Sequence, residues 1–307
     1  MGRQIRGILL LTLTAFIWGT AFAAQRAGME HIGPVTFIGV RFLIATVSLL
    51  PVIFVSSAID RRSGVDRYPG TSRVLLKSGV LCGIVIFVCG LFQQVGIIYT
   101  TVGKSGFITT LYIVIVPIFG LFMGRRVKWF TWCCILLAII GMYLLCVNES
   151  MSINKGDVYT FFCAVFYTVH ILLVDRYSPQ VDGVKLSAIQ FFVCGVIGTA
   201  AALIFETPDV TGIMSAIWPL LYAGVLSSGV AFTLQVLGQR DVNPVAASMV
   251  MSLESVFAAL TGWLLLNEIL SVKEIAGCAL IFTANIMVQV AGIMGGSGKS
   301  GMTADGG

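Results

Sequence analysis

GKSGFITTLYIVIVPIFGLFMGRR, residues 103–126, holds twenty consecutive uncharged residues between Lys104 and Arg125. A helix rises about 1.5 Å per residue, so twenty residues match the roughly 30 Å hydrocarbon core of a bilayer. The stretch therefore reads as a membrane-spanning helix. Pro117 lies inside it, removes one backbone donor and predicts a bend there. A second run, SLESVFAALTGWLLLNE (252–268), has the same apolar character but carries a carboxyl, Glu254, near the middle of its span.

The rest of the chain has the same composition. Of 307 residues, 57% are hydrophobic and 11% charged, where a soluble domain carries about 25% charged residues. Ten apolar runs follow, at approximately 7–25, 34–57, 75–98, 104–123, 129–147, 156–175, 185–205, 215–238, 244–266 and 273–294. The chain reads as an all-α integral membrane protein of ten transmembrane helices. Its longest internal loop is 58–74. The Gly/Ser-rich end, 295–307, reads as a disordered tail. GGSGKSG within that tail lacks the spacing of a phosphate-binding loop. Arg3 and Arg6 precede an apolar run, but no polar mature chain follows a cleavage site, so the first run reads as a retained span.

Lys and Arg set the orientation. With the N-terminus in the cytoplasm, fourteen basic residues fall inside (among them Arg61, Arg62, Arg125, Arg126 and Arg176) and four outside (Arg26, Lys104, Lys155 and Lys273). That asymmetry follows the positive-inside rule and places both termini in the cytoplasm. The net charge of +5 is too small, and too scattered between apolar runs, for a nucleic-acid binder. All eight cysteines fall in spans without metal spacing and read as small packing residues.

The chain also repeats. PVTFIGVRFLIATVSLLPVIF (34–54) can be laid on GVKLSAIQFFVCGVIGTAAALIF (183–205), which puts Arg41 on Gln190. Residues 106–126 can be laid on 249–268. Each half has five spans. Five is odd, so the second half inserts upside down relative to the first, as in many secondary transporters. The halves are expected at 1–148 and 149–294.

AFIWGTAF (15–22), GVRFLIA (39–45), GKSGFITTLYIVIVPIFGLFMGRR (103–126), SLESVFAALTGWLLLNE (252–268) and KEIAGCALIFTANI (273–286) together resemble the EamA branch of the drug/metabolite transporter superfamily. The resemblance covers nearly the whole chain. It implies two inverted five-helix repeats, a substrate cavity between them near mid-membrane, and alternating access. This sequence departs from the family where Ser255 stands in place of a common Pro and where Arg125-Arg126 stand in place of a common acid.

Polar groups inside a bilayer are candidates for function. Glu254 suits a proton site, a counter-charge for a cationic substrate, or a neutral structural hydrogen bond. Arg41, about seven residues into the second span, suits carboxylate recognition or a stem that reaches the interface. The expected substrate-binding set pairs same-face residues: Trp18 with Phe22, Tyr167 with His170, and Thr109 with Tyr112, joined by Gln93, Gln94, Ser227 and Ser228. Aromatic faces with a few amides and hydroxyls suit a small zwitterion or an organic cation. Ordinary packing, and for His170 an interhelical hydrogen bond, are the alternatives.

These residues predict a secondary transporter of a small organic metabolite, an amino acid or amine, with export as the direction. Choline-like uptake of a quaternary amine is the alternative. An intramembrane enzyme is the remote one: only His31 and His170 are histidines, and no HExxH or GxSxG occurs. No metal and no cofactor are expected. The partners are a small-molecule substrate and the lipid bilayer, with no nucleic acid, and the carrier is expected as a monomer or homodimer.

Overall fold

The structure, a computed structural model, describes residues 2–63, 70–100, 102–146, 153–266 and 271–297. Among these, every regular element is a helix. Nine helical stretches are long and apolar enough to cross a bilayer, and Trp129–Leu145 adds a shorter apolar helix. The first half contains α1 (Gly2–Gly28), α2 (Pro34–Ser63), α3 (Ser72–Tyr99), α4 (Val102–Thr109), α5 (Tyr112–Phe122) and α6 (Trp129–Cys146). The second contains α7 (Lys155–Tyr177), α8 (Gly183–Phe205), α9 (Val210–Ser215), α10 (Ile217–Leu221), a π-helix (Tyr222–Phe232), α11 (Thr233–Gln239), α12 (Pro244–Met251), α13 (Glu254–Leu266) and α14 (Val272–Ser297).

The burial pattern fits a bilayer. Phe54, Phe122, Leu203, Phe205 and Trp218 are exposed, whereas Arg41, Gln94, Gln190, Gln235 and Glu254 are buried. Apolar side chains face outward toward lipid, and polar ones face each other.

Helix ends carry their own stop and start signals. Asn154 and Asp157 form a reciprocal capping box at the start of α7. Asn243 caps α12, with Pro244 in the first turn. The start of α2 is capped from another helix: the Glu206 carboxylate, at the end of α8, accepts from Val35 N–H (2.9 Å), Thr36 N–H (2.8 Å) and the Thr36 hydroxyl (2.6 Å). At the opposite end of the bundle, Arg125 pairs with Asp175 at 2.7 Å.

The packing is unchanged when the halves are exchanged. The pairs α2·α8 and α6·α14 unite equivalent helices. The pair α3·α7 has its counterpart in α1 against the π-helix and α11, and α1 against α12 and α13 has its counterpart in α7 against α4 and α5. Two glycine crossings make this concrete. A Cβ on Gly156 would lie 2.6 Å from the Gly96 carbonyl oxygen, and one on Gly7 would lie 2.8 Å from that of Gly238. Gly7 and Gly156 are repeat partners, as are Gly96 and Gly238. One contact is thus built twice, by glycines that let the backbones touch.

Four expectations need correction. The fourth and ninth spans are each interrupted, at residues 110–111 and 252–253. The interruption in the fourth precedes Pro117, which lies inside the continuous α5. The loop expected from 58 starts later, because α2 continues to Ser63; residues 64–69 lie outside the described residues. The tail expected from 295 also starts later, because α14 runs to Ser297; 298–307 lie outside the described residues.

The glycine crossings predict a stability contrast. Gly156→Ala forces α3 and α7 apart and is expected to cost about 1–3 kcal/mol by overpacking. Gly106→Ala, where an added Cβ meets nothing within 4 Å, is expected to leave stability unchanged or slightly higher. Thermal unfolding of both variants in detergent checks the order.

Candidate functional site

The two interruptions are copies of each other. In the fourth span Leu111 N–H donates to Ile108 O (3.2 Å) and Ile113 N–H to Thr110 O (3.0 Å), three-residue turns in place of four; Ile115 N–H to Leu111 O (3.2 Å) resumes the regular ladder. In the ninth, Leu253 N–H donates to Val250 O (3.1 Å), Ser255 N–H to Ser252 O (3.3 Å), and Phe257 N–H to Leu253 O (2.9 Å). The Thr110 hydroxyl donates to Phe107 O (2.8 Å), and the Ser252 hydroxyl donates to Met249 O (2.7 Å). Every atom in the first set has its equivalent 142 residues later. The expected alignment of 106–126 on 249–268 is therefore one residue out of register.

In the corrected register Tyr112 and Glu254 are equivalent, and each opens a half-helix. They meet: the Tyr112 phenol donates to Glu254 Oε1 at 3.4 Å, a long bond in a buried setting. Two further equivalent pairs also meet. The Trp18 and Tyr167 rings lie 5.8 Å apart, and those of Phe42 and Phe191 lie 5.7 Å apart. Three self-meeting pairs mark a pseudo-two-fold axis through the centre of the bundle.

Beside this axis lies a cavity of about 40 Å³, lined by Trp18, Phe22, Gln25, Arg41, Phe42, Ile86, Cys89, Gly90, Gln93, Thr109, Tyr167, Ser227, Phe232 and Glu254. That is room for roughly three waters. The space is off-axis for a visible reason. Phe232 in the π-helix is the repeat equivalent of Gly90 in α3: one half fills its share with a ring, and the other leaves it open.

The π-helix supplies a third irregular backbone. Its widened turns turn carbonyls toward α1, where Trp18 Nε1 donates to Ser227 O (3.0 Å) and the Thr14 hydroxyl to Ala231 O (3.1 Å). Arg41 lies at the same level. It is 5% exposed, so its stem does not reach an interface. Its Nε donates to Ser228 Oγ (2.9 Å), its Nη1 to Gln25 Oε1 (3.0 Å), and its guanidinium lies 4.9 Å from the Phe42 ring centre.

Of the residues named from sequence, Trp18, Phe22, Arg41, Gln93, Thr109, Tyr167, Ser227 and Glu254 line the cavity. Four stand behind it. Tyr112 holds Glu254, and Ser228 holds Arg41. Gln94 is buried with its amide on Met29 Sδ at 3.2 Å, while adjacent Gln93 takes the cavity. His170 is buried against Gln190 Oε1 at 3.0 Å. Gln25, Phe42, Ile86, Cys89, Gly90 and Phe232 were not anticipated. Gln25 had one signal, an amide in the last turn of an apolar span; the others look like ordinary packing residues in sequence. Among the described residues no cluster of three His, Cys, Asp or Glu forms a metal site, and the seven described cysteines are free, with Cys89 and Cys163 sulfurs 3.6 Å apart.

The profile of the EamA-like transporter family matches this chain twice, over residues 5–147 and 154–289. An uncharacterized transporter of Archaeoglobus fulgidus is 31% identical over 294 residues, 94% of this chain and 87% of its own length. The uncharacterized inner membrane transporter YedA of Escherichia coli is 24% identical over 284 residues, 89% of this chain and 87% of its own. A crystal structure with 16% sequence identity superposes with a TM-score of 0.74, covering 93% of this chain and 96% of that one, and shares the fold.

The hydrogen bonds to the π-helix can be checked singly. Thr14→Val keeps the side-chain shape and removes the donor to Ala231 O, and is expected to cost about 1 kcal/mol. Thr12→Val removes a hydroxyl that bonds only within its own helix, to Ile8 O, and is expected to change little. Paired melting curves give the comparison.

Proposed function

The chain belongs to the EamA-like transporter family, and we propose that it is a secondary carrier that exports a small organic metabolite, an amino acid or amine, across the cytoplasmic membrane. The observation that carries this reading is the cavity beside the pseudo-two-fold axis, walled by both halves and flanked by two broken helices. Broken helices at a repeat interface are where secondary transporters bind their cargo. A site next to that axis stays between the halves in two states that differ by exchanging the conformations of the halves. In the conformation described, space is open beside Gly90 and closed beside Phe232. Rocking the repeats 1–148 and 149–294 would open the site to the two sides of the membrane in turn.

The relatives named above are transporters, and we read this chain as a carrier, not an enzyme, that works without cofactor, metal or nucleic acid, as a monomer or homodimer in the bilayer. The basic asymmetry supports cytoplasmic termini in an inner membrane. Orientation is checked by labelling intact cells with a membrane-impermeant thiol reagent: Arg176→Cys is expected to be shielded and Ile153→Cys to react. The reverse pattern would overturn the topology.

We assign proton coupling to Glu254. It touches both the cavity and Tyr112, and Arg41, Cys89 and Tyr167 are the other charged or titratable side chains lining the same space. If water reaches Glu254 in one state and not in the other, its proton affinity differs between states, and a group biases an equilibrium by that difference. Glu254→Gln preserves size and hydrogen bonding but cannot titrate. It is expected to retain substrate exchange in vesicles and to lose the dependence of net flux on a pH gradient. Wild-type flux that ignores the gradient would return Glu254 to a structural role.

The cavity itself has a direct test. At Gly90 an added Cβ meets nothing nearer than Ile38 Cδ1 at 4.0 Å, so the fold accepts a side chain there. Gly90→Phe would fill the open space as Phe232 fills the other. The variant is expected to melt like wild type in detergent and to lose flux at least about tenfold, by analogy with the loss from a 1.4 kcal/mol binding penalty.

A further inference from the structure

We propose that Arg41 is the anchor for a carboxylate on the transported solute. This rests on the transport reading above and narrows its substrate from an amino acid or amine to a carboxylate-bearing metabolite.

Burying a cation costs free energy unless something compensates its charge. Arg41 is buried in a span, and its two hydrogen-bond partners, Gln25 and Ser228, are neutral. Nη2 makes no hydrogen bond to a described residue, and no described acid lies within ion-pair distance of the guanidinium. The side chain lines the cavity.

The repeat shows that the fold does not need a cation at this position. The equivalent of Arg41 is Gln190, which spends its Oε1 on His170 in the other half, at 3.0 Å. A neutral amide is enough for packing there. The charge therefore occurs in the half whose cavity wall is Gly90, and is absent from the half that Phe232 fills. Charge and space coincide.

The geometry suits a planar anion. Gln25 and Ser228 hold the guanidinium from two helices, and Phe42 covers one side. A fixed guanidinium with free N–H donors matches the two oxygens of a carboxylate. Trp18 and Tyr167 remain for the apolar part of the solute, and Glu254 for an amino group where the solute has one. A solute that is only a cation would occupy Glu254 and leave Arg41 without a counter-charge. The choline-like alternative is disfavoured on that ground.

The test needs no knowledge of the natural substrate. A thiol placed by Gly90→Cys reports the potential beside Arg41. The purified variant is treated with negatively charged sulfonatoethyl methanethiosulfonate or positively charged trimethylammonioethyl methanethiosulfonate, and modification at residue 90 is read by peptide mass spectrometry. Normalised to a free thiol in water, the anionic reagent is expected to react about tenfold faster than the cationic one, as an uncompensated charge a few ångströms away requires. Arg41→Gln in the same background should abolish the preference. Arg41→Lys, which keeps the charge, should retain it and guards against misfolding of the first variant. Propionate is expected to slow modification of the Arg41 protein, and propylamine is not. Equal or cation-preferring reactivity, no reaction with the anionic reagent, or a preference that survives Arg41→Gln overturns the assignment. Labelling requires no transport, so its failure is separable from failure of the vesicle flux experiments.

Discussion

A bilayer offers no hydrogen-bond partner, so each backbone N–H and C=O in a span must be satisfied by the protein. Long helices such as α1, α3 and α8 meet this requirement alone. The three places where the ladder departs from the four-residue pattern cannot, and each is repaired by a side chain: the turns at 110–111 and 252–253 by their own hydroxyls, Thr110 and Ser252, the π-helix by Trp18 and Thr14 of α1. All three departures surround one cavity. Irregular backbone is tolerated at membrane depth where it is buried in protein or lines such a space, and these repairs therefore also locate the site.

The internal repeat explains how a short chain makes a central site. Here the cavity is enclosed by side chains from both five-span copies, related by an in-plane axis. Helix contacts are then specified twice by one set of residue types, as Gly7 with Gly238 and Gly96 with Gly156 show. The copies also differ at the axis itself. Tyr112 faces Glu254, Trp18 faces Tyr167, Gly90 answers Phe232, and Arg41 answers Gln190. The scaffold keeps its symmetry, while the site has lost it, and an asymmetric solute needs an asymmetric site.

Sequence disclosed the spans because bilayer thickness demands long uncharged runs, and it disclosed the inversion because five is odd. It also picked out Glu254, since a carboxyl in the middle of an apolar run is costly whatever the fold. It could not show the helix interruptions. FITTLYIV and VMSLESVF contain no Gly or Pro at the break, and Pro117, the visible breaker, lies beyond it within a continuous helix. The repair depends on hydroxyls of Thr110 and Ser252 that look like any small polar residue. Nor could sequence choose between Gln93 and Gln94, because adjacent amides diverge by about 100° on a helix and only the packing of α3 decides which one meets the cavity. Arg41 is the sharpest case. Its position near a span end suits a stem that reaches the interface, and only Gln25 and Ser228, on two other helices, reveal that it turns inward.

Arg41 and Glu254 together constrain what the cavity can hold. With both ionised, the site is neutral overall but polarised, and an apolar solute gains nothing from either end. A carboxylate on Arg41 leaves Glu254 as the uncompensated charge, and a proton or an amino group then restores balance. A proton and an amino group satisfy the same carboxylate and exclude each other there. A zwitterion that occupies both ends therefore displaces the proton, so solute and proton compete for Glu254. Exchange of substrate against proton drives export when protons are more concentrated outside. The proposed direction and the proposed substrate rest on the same two side chains, because the solute's own charges decide whether it travels with the proton or against it.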